Sequence, residues 1–178
     1  PQKNRALIIG EPSGDTSARC RRIVDAFAAT DFDIPIAKNI RLELWTKLLS
    51  NVGLSMICVL TRSTLGEANN DTACFALAKR LMHEMALVSG KLGVNLDDAV
   101  ATRIASQPVS NAHKPSTLQD LELGRPMEID AMVGAVIEMG RLVDQPTPYL
   151  DSVYALLRRL AEKTGTYPAN PDFAPDIV

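Results

Sequence analysis

The spacing of hydrophobic positions changes after the first forty residues. Before that point, residues 5–10 and 33–37 are short apolar runs typical of β-strands, and residues 16–29 between them carry apolar side chains at helical spacing. Residues 11–15 predict the turn that joins the first strand to the helix. The order is β-α-β, the edge of an α/β sheet. Because an isolated strand pair is marginal in water, we expect further strands upstream of this sequence.

In the remainder of the chain, apolar residues recur at helical spacing. The first helix becomes apolar nearly all round, as expected of a helix buried in a bundle. Helices are predicted from residue 39 to at least 56, from a cap at 70 or 71 to about 92, from 95 to about 106, from 116 to Gly124, from 126 to about 143 and from 148 to about 163. The sequence therefore predicts a mainly α fold, a helical bundle preceded by a short β-α-β unit.

Two helix starts carry specific signals. Ser116 and Gln119 have the S-x-x-Q form of a capping box. Thr147 followed by Pro148 is an N-cap with proline at the first helical position, and Gly165 is placed to end that helix.

Composition excludes several classes of protein. The 19 Lys and Arg against 21 Asp and Glu give a net charge of −2, so no basic surface for nucleic acid is expected. With 46% hydrophobic and 22% charged residues the chain is too apolar for intrinsic disorder. The longest apolar stretch, 52–60, is far shorter than the roughly 20 residues of a membrane span, so we expect neither a membrane helix nor a signal peptide.

Cysteine and histidine are few and scattered. Cys20, Cys58 and Cys74 form no C-x-x-C pair, which predicts reduced, buried thiols in a cytoplasmic protein. His83 and His113 have no second ligand at metal-binding spacing, so we expect neither a metal site nor a Ser-His-Asp triad.

Residues 10–14 (G-E-P-S-G) place two glycines in the first strand-to-helix turn. The segment matches neither G-x-G-x-x-G nor G-x-x-x-x-G-K-[ST], and Glu11 would repel a phosphate. We interpret it as a tight connection, with nucleotide binding the less favoured alternative.

Lys47 interrupts the apolar stripe of the first long helix. Asn51 lies one turn later and Ser55 one turn further, so a polar seam runs along this helix. An ammonium held there would be partly desolvated, which lowers the pKa of a lysine and makes it a better proton donor near neutral pH. The alternative is a structural lysine that snorkels to solvent.

Glu128 is the candidate partner of Lys47. Helical spacing from residue 126 puts Glu128 at the head of the apolar stripe, pointing inward, and Asp130 on the outer face. An inward carboxylate needs a cation or hydrogen-bond donors. The alternative is a first-turn glutamate favoured by the helix dipole.

Ser116 and Asp120 lie one turn apart on the short helix. Ser116 either simply caps that helix or shares its N-terminus with an anionic group of a substrate. The role of Asp120 is equally open.

The motifs W-x-K-L-x2-N at residues 45–51, L-Q-D at 118–120, E-I-D at 128–130 and T-P at 147–148 together resemble the C-terminal domain of the ketopantoate reductase (2-dehydropantoate 2-reductase) family. The resemblance covers about residues 5–165. It implies an all-helical domain like that of 6-phosphogluconate dehydrogenase, preceded by the last β-α-β piece of a Rossmann sheet.

This resemblance implies three regions: residues 1–38 as the remnant of an NADPH-binding Rossmann domain, 39–166 as the helical substrate-binding and catalytic domain, and 167–178 as an extended tail. NADPH would be bound mainly by an upstream domain, because the glycine fingerprint is absent from this sequence. The implied protein is a cytoplasmic enzyme of pantothenate and coenzyme A biosynthesis with a 2-oxo acid substrate, and a possible homodimer. The chain alone is expected to be inactive.

The resemblance also implies roles for individual residues. Lys47 is similar to the family's catalytic lysine, which hydrogen-bonds the ketone and donates its proton as hydride arrives, and Glu128 to the acid that orients it. The residues implied in substrate contact are Asn51, Ser55, Ser116 and Asp120. Ser55 stands where some members have a second asparagine, which questions strict ketopantoate specificity.

Two other functions stay open on the sequence. One is reduction of a different 2-oxo acid on the same fold, which the serine at position 55 would favour. The other is a non-catalytic helical module used for dimerisation, in which Lys47 and Glu128 form an incidental ion pair.

Overall fold

The structure, a computed structural model, describes residues 6–106 and 112–167. Two sequence predictions fall wholly or partly outside the described residues: the start of the first strand at Arg5 and the extended tail. The chain divides into two compact units, residues 1–46 and 47–178. The domain boundary expected after residue 38 stays a prediction.

The first unit contains the predicted β-α-β connection. Its two extended segments pair in parallel, with Ala6 opposite Asp33 and Ile9 opposite Ile36. Helix α1 (Ala18–Phe27) joins them and is shorter at both ends than its spacing indicated. The predicted order of extended segment, helix and extended segment is present, but the pairing among the described residues is confined to two isolated bridges and forms no strand.

The turn before α1 is closed by a carboxylate. Glu11 accepts the hydroxyl of Ser17 at 2.5 Å and forms an ion pair with Arg19. The hydrogen bond from Arg19 is the main reason that the pKa of Glu11 is lowered. Gly14, whose φ is +85°, donates its N–H to the C=O of Glu11 at 3.0 Å. This geometry fits the interpretation of the segment as a tight connection.

The second unit is helical, and α2 spans the division between the units. The helices are α2 (Ile40–Val52), α3 (Leu54–Thr61), α4 (Leu65–Asn70), α5 (Thr72–Lys91), α6 (Asp97–Ala105), α7 (Ser116–Glu122), α8 (Ala135–Leu142) and α9 (Pro148–Thr164). A π-helical turn, Asp130–Gly134, leads directly into α8. The prediction of a mainly α fold is confirmed.

Helix α3 is the centre of the packing. It contacts α4, α5, α7 and α9. Every residue from 54 to 59 is buried, because this helix has neighbours on all sides and no face left for solvent. Its apolar sequence is thus explained by its position.

Helices α2 and α3 are separated at Gly53, where the sequence pattern indicated one continuous stripe. A Cβ atom at position 53 would lie 2.9 Å from Cγ of Met82 on α5. A side chain at this position would have to displace the Met82 side chain, because α5 packs closely against the backbone here.

One helical stretch among the described residues, Ile40–Thr61, is long and apolar enough to cross a membrane by length and composition. Its mean hydropathy is 1.4, and 56% of the window is buried inside the fold. A helix buried in a protein core can be as apolar as a helix that spans a membrane, so this apolarity does not distinguish the two.

The three cysteines are free thiols. Cys20 and Cys58 are buried and Cys74 is half-buried, close to the prediction of buried, reduced thiols. Burial raises the pKa of the Cys58 thiol to about 11. This thiol is therefore protonated and unreactive at neutral pH.

Helix α4 was not predicted, although its start carries a recognisable signal. Thr64 and Glu67 form a complete capping box, in which each side chain accepts the backbone N–H of the other. The T-x-x-E spacing could have located this helix.

The capping box predicted at Ser116 is wrong. Pro115 is the N-cap of α7, and Ser116 is the first helical residue, exposed and without a capping hydrogen bond. The Gln119 side chain donates to the C=O of Lys114 at 2.8 Å. The reason is a one-residue shift of the helix start, which takes the serine hydroxyl away from the free N–H groups.

Helix α9 begins at Pro148 and is capped at its C-terminal end by Gly165, whose φ is +68°, as predicted. The side chain of Thr147, however, does not cap it; its hydroxyl donates to Asp151 at 3.0 Å. The predicted start of α9 is confirmed, but the prediction that the Thr147 side chain caps it is wrong.

That group is the carboxylate of Glu84 on α5. It accepts the N–H of Tyr149 at 2.9 Å and the N–H of Leu150 at 2.8 Å. Glu84 is only 6% exposed. A helix start is thus capped by a side chain 65 residues away, which no local pattern signals.

We expect Glu84 to make stability depend on pH. Burial raises the pKa of this carboxyl above its ordinary 4.5, although the two N–H bonds act in the opposite direction. A carboxyl whose pKa is higher in the folded chain contributes stability that is full below 4.5 and is lost as the pH rises through the folded pKa. Relative to Glu84→Gln, the wild type should therefore lose urea resistance as the pH rises above 4.5. An increase in the stability of the wild type relative to Glu84→Gln as the pH rises would contradict this expectation.

Candidate functional site

Lys47 and Asn51 lie one turn apart on α2. Lys47 is exposed and Asn51 is half-buried. The prediction of a partly desolvated Lys47 is wrong for this chain, because the buried Trp45 and Leu49 lie on the opposite side of the helix. The ammonium is therefore accessible to a ligand.

Ser55 belongs to α3, beyond the break at Gly53, and not to the helix that carries Lys47. It is 8% exposed, and its hydroxyl donates weakly to the C=O of Ser50 at 3.4 Å. The predicted seam therefore does not continue along one helix.

The predicted orientations of Glu128 and Asp130 are reversed in the structure. Met127 and Ile129 are both 0% exposed, and Glu128 between them is exposed. The cause is local backbone geometry: residue 128 precedes the helix, in a segment where successive side chains alternate, so helical spacing does not apply to it. The π-helical turn that follows also shifts the register.

Asp130 faces the protein interior. Its carboxylate accepts the hydroxyl of Tyr154 at 2.5 Å and that of Tyr167 at 2.8 Å. Burial, followed by the hydrogen bond to Asp130, raises the pKa of both phenols, so both remain hydrogen-bond donors. Sequence reasoning missed this cluster, because residues 154 and 167 are far from 130 along the chain.

Asp120 and Ser116 lie on α7, which packs against α3. Asp120 forms an ion pair of 2.6 Å with Arg125 and accepts the Arg125 N–H on its backbone C=O at 2.8 Å. These bonds tie α7 to the segment that leads to Glu128. Ser116 is exposed at the start of the helix.

The structure brings some predicted site residues onto helices in contact, and among the described residues the central pair, Lys47 and Glu128, is not bonded. Ser55 on α3 and Ser116 on α7 belong to helices in contact. Within residues 6–106 and 112–167, no hydrogen bond or ion pair joins Lys47 to Glu128. The incidental ion pair of the non-catalytic alternative is therefore not formed. The convergence of these residues on one substrate stays a prediction.

A groove of about 590 Å³ lies elsewhere, between α5 and the start of α9. Lys79, Arg80 and His83 line one wall, and Pro148 and Tyr149 the other. The Arg80 guanidinium lies 4.9 Å from the centroid of the Tyr149 ring. None of the predicted site residues lines this groove, so the two features are separate.

The described residues contain no group of three His, Cys, Asp or Glu side chains that could hold a metal ion. They also offer no fit for a dinucleotide pyrophosphate at the strand-to-helix turn of residues 10–14. The Glu11 carboxylate, bonded to Ser17 and Arg19, occupies that turn, and its charge opposes a phosphate there.

These features define a class of protein: a helical domain that presents polar side chains from separate helices and follows a β-α-β unit. Residues 39–161 match the family described as ketopantoate reductase PanE/ApbA C terminal. The chain belongs to this ketopantoate reductase family, and the resemblance seen in its motifs is confirmed.

Three relatives show the extent of the likeness. The chain is 45% identical over 165 residues to 2-dehydropantoate 2-reductase of Mesorhizobium japonicum, covering 93% of this chain and 51% of that protein. A dimeric ketopantoate reductase from Staphylococcus aureus matches with a TM-score of 0.79 and 26% identity, over 92% of this chain and 56% of that one. D-mandelate dehydrogenase, solved with NADH and anilino(oxo)acetate, matches with a TM-score of 0.80 at 19% identity, over 90% of this chain and 68% of that one. The last likeness shows the fold alone.

The chain spans about half the length of the curated relatives it matches.

Proposed function

We propose that this chain is the substrate-binding and catalytic half of an NADPH-dependent 2-dehydropantoate 2-reductase, which reduces ketopantoate to pantoate in pantothenate and coenzyme A biosynthesis in the cytoplasm. The observation that carries the proposal is the match of residues 39–161 to the family, which covers the elements that present Lys47 and Glu128. The 45% identity to the Mesorhizobium reductase supports it further.

In this proposal Lys47 acts on the ketone oxygen of the substrate. Reduction places negative charge on that oxygen, and an ammonium held there stabilises the charge and supplies the proton. Lys47 suits this role because its side chain is exposed and its ammonium forms no hydrogen bond or ion pair among the described residues. Its donor groups are therefore available to a ligand.

Glu128 acts beside Lys47 on the same substrate. Its carboxylate is exposed while its two neighbours are fully buried, so the backbone that carries it is held firmly. In the bound state it orients the ammonium and accepts a hydrogen bond from the substrate. Removal of water from the site strengthens both interactions.

The other predicted residues bind the substrate. Asn51 lies one turn from Lys47 and offers an amide, and Ser116 offers a hydroxyl for the carboxylate. Asp120, paired with Arg125, holds the helix that carries Ser116 in place. The Ser55 hydroxyl is buried, so we assign it a smaller share in binding.

The dinucleotide supplies the hydride when bound, and an upstream domain holds it. Leu7 and Ile8 on the first extended segment are 46% and 45% exposed, which supports further strands packing on this unit. The dimeric state of the Staphylococcus aureus relative supports a homodimer.

A substrate panel tests the proposal. The full-length gene product that contains this chain should reduce ketopantoate with NADPH at the highest kcat/KM, above other 2-oxo acids and above NADH. The alternative is a reductase of another 2-oxo acid, favoured by Ser55. Preference for an aromatic 2-oxo acid would establish that alternative, and absence of turnover on every 2-oxo acid would overturn both.

A further inference from the structure

The segment that carries Glu128 is fixed on both sides by the residues that follow α9. On its N-terminal side the Met127 N–H donates to the C=O of Thr166 at 2.9 Å. On its C-terminal side the Asp130 carboxylate accepts the hydroxyl of Tyr167 at 2.8 Å. Because Thr166 and Tyr167 are consecutive, one short turn holds both flanks of Glu128.

This turn is itself anchored to α9. The N–H groups of Thr166 and Tyr167 donate to the C=O of Ala161 at 2.9 and 3.2 Å. Gly165 reverses the chain with a φ of +68°, and Thr166 is 0% exposed. The turn therefore transmits the position of α9 to the segment around residue 128.

Tyr154 completes the arrangement from within α9. Its side chain is 0% exposed, and its hydroxyl donates to the second oxygen of Asp130 at 2.5 Å. With both oxygens held, the carboxylate cannot rotate, and the first π-helical residue is fixed. The C=O of Glu128 accepts the N–H of Met132 at 3.2 Å, so it belongs to the same turn.

We propose that Asp130, Tyr154 and Tyr167 are positioning residues that act through the backbone of residues 127–130 to hold Glu128 in its reactive place. This rests on the proposed function, because it takes Glu128 as the acid that works beside Lys47. A phenylalanine at either tyrosine position would fill the same space without the desolvation of a hydroxyl. The two hydroxyls therefore contribute by holding the Asp130 carboxylate in place more than by filling the core.

The test compares Tyr167→Phe and Glu128→Gln in the full-length gene product, singly and combined. Tyr167→Phe should lower kcat by about 10- to 100-fold, since small displacements of a reacting group have effects of that size, with KM little changed. In the Glu128→Gln background the same change should have no further effect, because the group it positions has gone. Tyr149→Phe is the matched control, since Tyr149 lies beside Arg80 on the groove and should leave kcat unchanged.

The outcomes separate this inference from the proposed function. Full kcat in Tyr167→Phe, or effects that multiply in the double variant, would overturn the positioning role while leaving Glu128 as the acid. A wild-type kcat in Glu128→Gln would instead show that Glu128 takes no part in the reaction, which would refute the role that the proposed function gives to this residue. Should Tyr167→Phe unfold, Asp130→Glu, which retains the charge and displaces the acceptor, takes its place with the same expectations.

Discussion

Replacement of Lys47 by alanine is expected to lower the kcat of the full-length gene product by about 1,000-fold, the combined size of losing a proton donor and a charge at the developing oxyanion. The physical reason is that Lys47 is an exposed ammonium without a hydrogen bond or ion pair in the described ranges, on a helix within the residues that match the family. Steady-state kinetics with NADPH and ketopantoate measure the effect.

Two further variants make the Lys47 result specific. Lys79→Ala removes another exposed lysine, on α5 and outside the predicted site, and should leave kcat unchanged. Lys47→Arg retains the positive charge but cannot give up its proton near neutral pH, so it should stay strongly impaired. Turnover of Lys47→Ala equal to that of the wild type would refute the role of Lys47.

Replacement of Glu84 by alanine is expected to lower the free energy of local unfolding around the start of α9 by about 3 kcal/mol, because two backbone N–H groups lose their acceptor in a buried place. These are the N–H groups of Tyr149 and Leu150. Hydrogen exchange measured by mass spectrometry over residues 147–152 reports the change directly.

A matched glutamate serves as the control for Glu84. Glu138 on α8 is exposed and forms no hydrogen bond or ion pair within the described part of the chain, so Glu138→Ala should leave exchange unchanged. Glu84→Gln keeps one acceptor oxygen and should lie between the wild type and Glu84→Ala. If the Tyr149 and Leu150 amides were as well protected from exchange in Glu84→Ala as in the wild type, another group would cap α9.

Helical periodicity predicted the long helices well. The apolar positions of α5 recur at spacings that place them on one side of a helix. The Thr147–Pro148 pair marks the start of α9. The β-α-β order of the first unit followed from strand-like runs on either side of a helical stretch. Such patterns are local, so they can be read from neighbouring residues alone.

Side-chain direction at the ends of helices was less predictable. Helical spacing from residue 126 predicts an inward Glu128 and an outward Asp130. The described helix begins later, with a π-helical turn, and this reverses the two acids. An error of a few residues at a helix end is enough to move a side chain to the other face.

The sequence by itself determined the class of fold, the approximate bounds of most helices and the family to which the chain belongs, because each depends on short-range spacing and on residue types. Only the tertiary structure decided which carboxylate faces solvent, which acid caps α9 and which tyrosines hold Asp130. These pairings join residues 24 to 66 positions apart. They arise from packing between helices, and helical spacing shows which face of a helix is buried but not which residues of another helix that face meets.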